Sequence, residues 1–150
     1  MQKENNEIRQ NGIPPIRVFL ADDNVDFLHS LTRYLESDSR ISIVGEAHSG
    51  REAVAMIPEI APDLVLMDIK MPEMNGFEAT RQLKKMNPQL KIVMLTLYDT
   101  AEYRWEARNV CADGFIEKSQ LNSHLNEIVT YLMQQQNEDT IVRTTGHFIE

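Results

Sequence analysis

Five short apolar runs punctuate the chain, at residues 16–21, 42–47, 63–67, 91–95 and 112–116, and stretches of helical periodicity separate them. Apolar runs of this length predict strands buried on both faces, as in a parallel sheet. The intervening stretches repeat at helical spacing instead. Val25, Leu28, Leu31 and Leu35 fall on one face of a first helix, and Leu121, Leu125, Ile128 and Leu132 on one face of a fifth. Ser49 followed by Glu52 opens a second helix as a capping box, with Pro58 and Pro62 bracketing its end. Gly76–Met86 suits a third, stopped ahead of Pro88. Asp99 with Glu102 is expected to cap a fourth, and Ser119 the fifth. Strict strand–helix alternation predicts an α/β fold, a doubly wound (βα)5 parallel sheet of the flavodoxin kind with right-handed crossovers. The strand order 2-1-3-4-5 follows, with its switch point between strands 1 and 3.

Polar residues close four of these runs. Asp22 and Asp23 follow the first, Asp68 the third, Thr96 the fourth and Lys118 the fifth. Ligands of such sheets bind beyond the carboxyl ends of the strands, so these side chains are expected to converge. Read singly, each has an ordinary explanation. Asp22-Asp23 resembles a helix cap, with Asn24 another candidate; Lys118 and Thr96 are unremarkable strand-end residues. Asp68 is different, because it ends the run Leu64-Val65-Leu66-Met67, too apolar to carry a charge without a purpose. Neighbouring carboxylates repel and raise one another's pKa, and a hard divalent cation relieves that repulsion. The expected ligands of Mg2+, or Mn2+ in its place, are Asp23, Asp68 and the main-chain carbonyl of Lys70, with Asp22 acting through water. Asp68 then has a free oxygen with which to attack a phosphoryl group, Lys118 an ammonium for that group and Thr96 a hydroxyl.

Composition narrows the classes. The chain has 150 residues, a net charge of −8 and a pI near 5.0, which argue for one domain and against direct binding of nucleic acid. No apolar run approaches the roughly 20 residues that span a bilayer. Residues 1–15 are polar with Gly12 and Pro14-Pro15, and read as a flexible arm; residues 16–133 form the domain; residues 134–150 read as a polar tail. The single cysteine, Cys111, fits a reducing cytoplasm and is expected to be a small buried residue. The four histidines have no metal-ligand spacing.

The segments 18–24 with Asp22-Asp23, 65–76 with Asp68, Met71-Pro72 and Gly76, 94–96 with Thr96, and 114–118 with Lys118 resemble a response-regulator receiver domain. Phe77-Glu78-Ala79-Thr80 and Thr96-Leu97-Tyr98-Asp99 are most similar to receivers of NarL/LuxR-type transcription regulators. The resemblance covers residues 16–133. It implies a CheY-like phosphoacceptor switch, not a turnover enzyme, which takes a phosphoryl group from a sensor histidine kinase onto Asp68 with Mg2+ and catalyses only its own phosphorylation and dephosphorylation. It also implies that Thr96 moves toward the phosphoryl group while Phe115 turns inward. The face made by helix 4, strand 5 and helix 5 is then a site for a homodimer or an output partner. Tyr103 and Trp105 lie on helix 4, where an exposed aromatic pair would suit a hot spot for such a partner; the other reading is that Trp105 packs inward. Two positions depart from the family pattern. Ser119 stands where a proline with a preceding cis bond is frequent, so that cis bond is not expected here. Leu97 stands where a small residue is usual, and is expected to hinder attack on the phosphoaspartate. A haloacid-dehalogenase-type phosphatase also uses a strand-end Asp with Mg2+, but requires a second Asp where this chain has Lys70. An unphosphorylated interaction module that keeps only the fold is the remaining alternative.

Overall fold

The computed structural model describes residue 12 and residues 14–137. Apart from residues 12, 14 and 15, the expected arm lies outside the described residues, as do residues 138–150 of the expected tail. Residues 134–137 continue the last helix.

Five strands alternate with five helices: β1 (Ile16–Ala21), α1 (Val25–Glu36), β2 (Ile41–Ala47), α2 (Gly50–Ile60), β3 (Leu64–Asp68), α3 (Gly76–Met86), β4 (Lys91–Thr96), α4 (Ala101–Asn109), β5 (Gly114–Glu117) and α5 (Leu121–Asn137). A 3-10 turn, Lys118–Gln120, links β5 to α5. All strand pairs are parallel and the order is β2-β1-β3-β4-β5, as the alternation predicts. Successive side chains of a strand point to opposite faces, and this splits the core into two layers. Phe19, Val65, Met67, Ile92, Met94 and Phe115 pack against α2, α3 and α4 through Ala53, Ile57, Ala79, Leu83 and Ala107. Val18, Leu20, Leu64, Leu66, Val93 and Ile116 pack against Leu28, Leu31 and Leu35 of α1 and Leu121, Leu125, Ile128 and Leu132 of α5, whereas Val25, expected on the α1 stripe, is exposed.

Pro58 and Pro62 bracket the end of α2 as expected: Pro58 lies in its last turn and the helix closes at Ile60. Its cap, Ala61, adopts a left-handed φ of 52°, and the Arg17 guanidinium donates to the carbonyls of Ile60 (2.9 Å) and Ala61 (2.6 Å). Several other local expectations give way. The cap of α4 is Thr100, whose hydroxyl accepts the Tyr103 N–H at 3.0 Å; Asp99 is held by Arg104 and does not cap. Ser119 sits inside the 3-10 turn, which separates it from the start of α5 at Leu121. No described peptide bond is cis. Cys111 is exposed, because it takes a left-handed φ of 67° just after α4 and turns its side chain to solvent.

The loop after β3 carries the closest backbone approach near the sheet edge. Gly76 donates its N–H to the Ile69 carbonyl (2.7 Å), and a Cβ there would run into the carbonyl oxygen of Asp68. Glycine is needed for proximity; the left-handed residue of this loop is Glu73, with φ 70°. Gly76→Ala is expected to lower stability by roughly 1–3 kcal/mol. Urea unfolding reads this directly, and an unchanged midpoint would contradict the close approach.

Candidate functional site

β1 and β3 are neighbours at the centre of the sheet, with Ala21 paired to Met67. Their next residues, Asp22 and Asp68, therefore emerge side by side at the switch point. Asp22 is 1% exposed and Asp68 7%, whereas Asp23 is exposed. Carboxylate oxygens of all three lie within 4.8 Å of one another.

Lys118, at the end of β5, reaches across the edge into this cluster. Its ammonium donates to Asp22 Oδ2 at 2.7 Å and stands 3.4 Å from Asp68 Oδ1. The other oxygen of Asp22 accepts the Asn24 N–H at 2.9 Å, and Asn24 caps α1 by accepting the Phe27 N–H at 3.0 Å. Asn24, and neither aspartate, caps α1, and both aspartates are left to the carboxylate cluster. Burial, and then the charge of Asp22, push the Asp68 carboxyl up to about 6, against the pull of Lys118.

Thr96 is buried at the end of β4, but its hydroxyl is turned to its own loop. It donates to the Tyr98 carbonyl (2.8 Å) and accepts the Tyr98 N–H (3.1 Å). Phe115 is buried on β5, with the Arg104 guanidinium carbon 4.9 Å from its ring centroid. Arg104 in turn grips Asp99 through two bonds of 2.7 and 2.9 Å, which holds the Asp99 carboxyl below its usual range. Lys70 is exposed beside the pocket.

The fourth helix splits the aromatic pair, and Trp105 does not pack inward. Trp105 is 61% exposed, while Tyr103 packs edge-on against Phe77 with centroids 5.9 Å apart. Tyr103 and Phe77 take the inward space, and Trp105, two residues on, faces away. Leu97 (62%) and Tyr98 are exposed on the β4–α4 link. His29 and His48 are exposed and His124 is half-buried on α5; His147 lies outside the described residues. The sequence reasoning missed two residues. Phe27 lies with its ring centroid 4.3 Å from the Lys118 ammonium, and Arg104 covers Phe115. The Asn24 cap three residues before Phe27 is the one signal that would have located it at the mouth of the pocket.

A doubly wound α/β domain with buried carboxylates and a lysine at its switch point defines a class, the CheY-like acidic-pocket domains. Within it, residues 18–130 match the model of the response regulator receiver domain. The chain is 38% identical over 115 residues to the response regulator protein VraR of Staphylococcus saprophyticus, covering 77% of this chain and 55% of that protein. It thus spans about half the length of the curated relatives it matches. Among solved structures it is similar to a LuxR-family two-component response regulator from Aurantimonas (TM-score 0.72, 26% identity, 77% of this chain and 86% of that one). It is also similar to the response regulator domain of Thermotoga maritima CheB (TM-score 0.71, 29% identity, 84% and 99%). The chain belongs to the response regulator receiver family, a signalling switch and not a conventional enzyme.

The raised carboxyl of Asp68 has a defined sign. The folded chain holds that proton more tightly than the unfolded chain. Without divalent metal, the stability this provides is full below about pH 3.8 and is lost as pH rises to about 6. Asp68→Asn is expected to abolish this loss and to raise the thermal midpoint at pH 7 in metal-free buffer. A midpoint equal to or below that of the unaltered chain would show that the carboxylates are not crowded together.

Proposed function

We propose that this domain accepts a phosphoryl group on Asp68 from the phosphohistidine of a sensor histidine kinase. The observation that carries this reading is the buried Asp68 carboxylate, incompletely neutralised, with the Lys118 ammonium 3.4 Å away. An oxygen of Asp68 attacks phosphorus, the phosphorus–nitrogen bond breaks, and the donor imidazole leaves with the electron pair. Lys118 then pairs with a phosphoryl oxygen and holds the transferred charge. Transfer of this kind depends on positioning and charge compensation more than on a strong base.

The donor set fits a hard divalent cation, since oxygens of three aspartates gather and two of those residues are buried. Asp23, Asp68 and the Lys70 carbonyl would hold Mg2+ or Mn2+ directly and Asp22 through water. Bound there, the ion relieves carboxylate repulsion and offsets charge on the phosphoryl oxygens.

The switch runs through Thr96 and Phe115. To donate to the phosphoryl group, the Thr96 hydroxyl must give up the bond it donates to the Tyr98 carbonyl. That movement frees the β4–α4 link and changes the α4–β5–α5 face, where Trp105 is presented. That face suits a second copy of the domain or an output partner. Similarity to LuxR-type regulators supports transcription control as the output of a longer chain, with this acidic domain making no direct contact with nucleic acid. No helix among the described residues is long and apolar enough to cross a membrane, and we place the domain in the cytoplasm. Self-catalysed loss of the phosphoryl group closes the cycle. A phosphatase of the haloacid-dehalogenase type is disfavoured by Lys70, which stands where that chemistry needs an acid.

Incubation with acetyl phosphate and Mg2+ is expected to place one hydroxylamine-sensitive phosphoryl group on the protein, absent in Asp68→Asn and abolished by EDTA. No labelling at all would favour the unphosphorylated interaction module, and turnover of phosphate esters the phosphatase. Leu97 is proposed to hinder attacking water, so Leu97→Ala should shorten the phosphoaspartate lifetime. An unchanged or longer lifetime rejects that role.

A further inference from the structure

The ammonium of Lys118 is held on one side by carboxylates and on another by an aromatic face. Its side chain is only 10% exposed, and the Phe27 ring centroid lies 4.3 Å from Nζ, within the range of attraction between a cation and a ring quadrupole. Phe27 does not sit there loosely. Its N–H is tied to the Asn24 side chain, the Asn24 N–H is tied to Asp22, and Asp22 is tied to Lys118. Carboxylate, cap, ring and ammonium thus form one closed circuit around the first turn of α1.

We propose that Phe27 is a positioning residue for phosphoryl transfer, its ring face holding the Lys118 ammonium between Asp22 and Asp68. The inference rests on the role of Lys118 given above. A ring suits this place for a chemical reason. Another carboxylate would hold the ammonium more strongly, but its full negative charge would repel an incoming phosphoryl group and compete for Lys118. A ring attracts the cation without adding net charge, so the ammonium stays free to pair with the phosphoryl oxygens. An aliphatic side chain fills similar space against the α1–α5 layer, where Phe27 is half-buried, but offers no quadrupole.

The test uses the unaltered chain together with Phe27→Leu, Phe27→Tyr and Lys118→Ala. In the unaltered, metal-free chain the side-chain methylene resonances of Lys118, assigned by their loss in Lys118→Ala, should be displaced upfield by the ring current. Unshifted resonances overturn the proposal, whatever the variants do. Phe27→Leu should abolish the displacement and slow the initial rate of phosphorylation by acetyl phosphate about three- to tenfold at saturating Mg2+. Phe27→Tyr, which keeps the ring, should restore both. A rate unchanged in Phe27→Leu, or lowered equally in Phe27→Tyr, overturns the proposal. Failure of the underlying reading has a different signature: Lys118→Ala would then be phosphorylated as fast as the unaltered chain.

Discussion

Asp22 and Asp68 are buried side by side, and one ammonium stands between them. Lys118 makes its short contact with Asp22 and a longer one with Asp68. The division is uneven, so Asp68 is the carboxylate left under-compensated, and its affinity for protons rises accordingly. A group in that state gains from any added positive charge. It also keeps an oxygen that is not committed to a strong bond. The parallel sheet holds this imbalance: it sets the ends of β1 and β3 side by side and brings the lysine at the end of β5 within reach of both.

The two sides of the sheet support the pocket differently. On the side of α1 and α5, the contacts are static: the Asn24 cap, the Phe27 ring and the aliphatic stripe beneath them. On the side of α4 they are local and exchangeable. Thr96 is bonded to the backbone two residues away, and Arg104 grips Asp99 while covering Phe115. Exposed ion pairs of this kind contribute little to stability, typically below about 1 kcal/mol, so the β4–α4 link can be rearranged at small energetic cost. The pocket is bounded by buried packing where it grips the lysine and by the exposed side chains of Leu97, Tyr98 and Trp105 on the side of α4.

The strands and the charged members of the pocket were readable from the chain because they obey one-dimensional rules. Fully buried strands must be apolar, so Asp68 at the end of such a run is conspicuous, and strand–helix alternation leaves few topologies to choose from. Cap assignments were less readable. Asp99 and Thr100 are both good caps, and the choice fell to Thr100 because Arg104 holds Asp99. Trp105 and Tyr103 carry similar hydrophobic weight, and only the position of Phe77 decided which would turn inward. Cys111 looked like a core residue but follows a helix end with left-handed geometry.

Residue order and chemistry alone were enough to establish a five-unit parallel sheet and an acidic rim with a basic partner, since burial and periodicity act along the chain. Which oxygen Lys118 would meet, and that an aromatic ring would lie against it, depended on how separate elements packed together. Those contacts join residues distant in the chain at separations of a few ångströms, and no pattern of neighbours along a strand or helix encodes such distances.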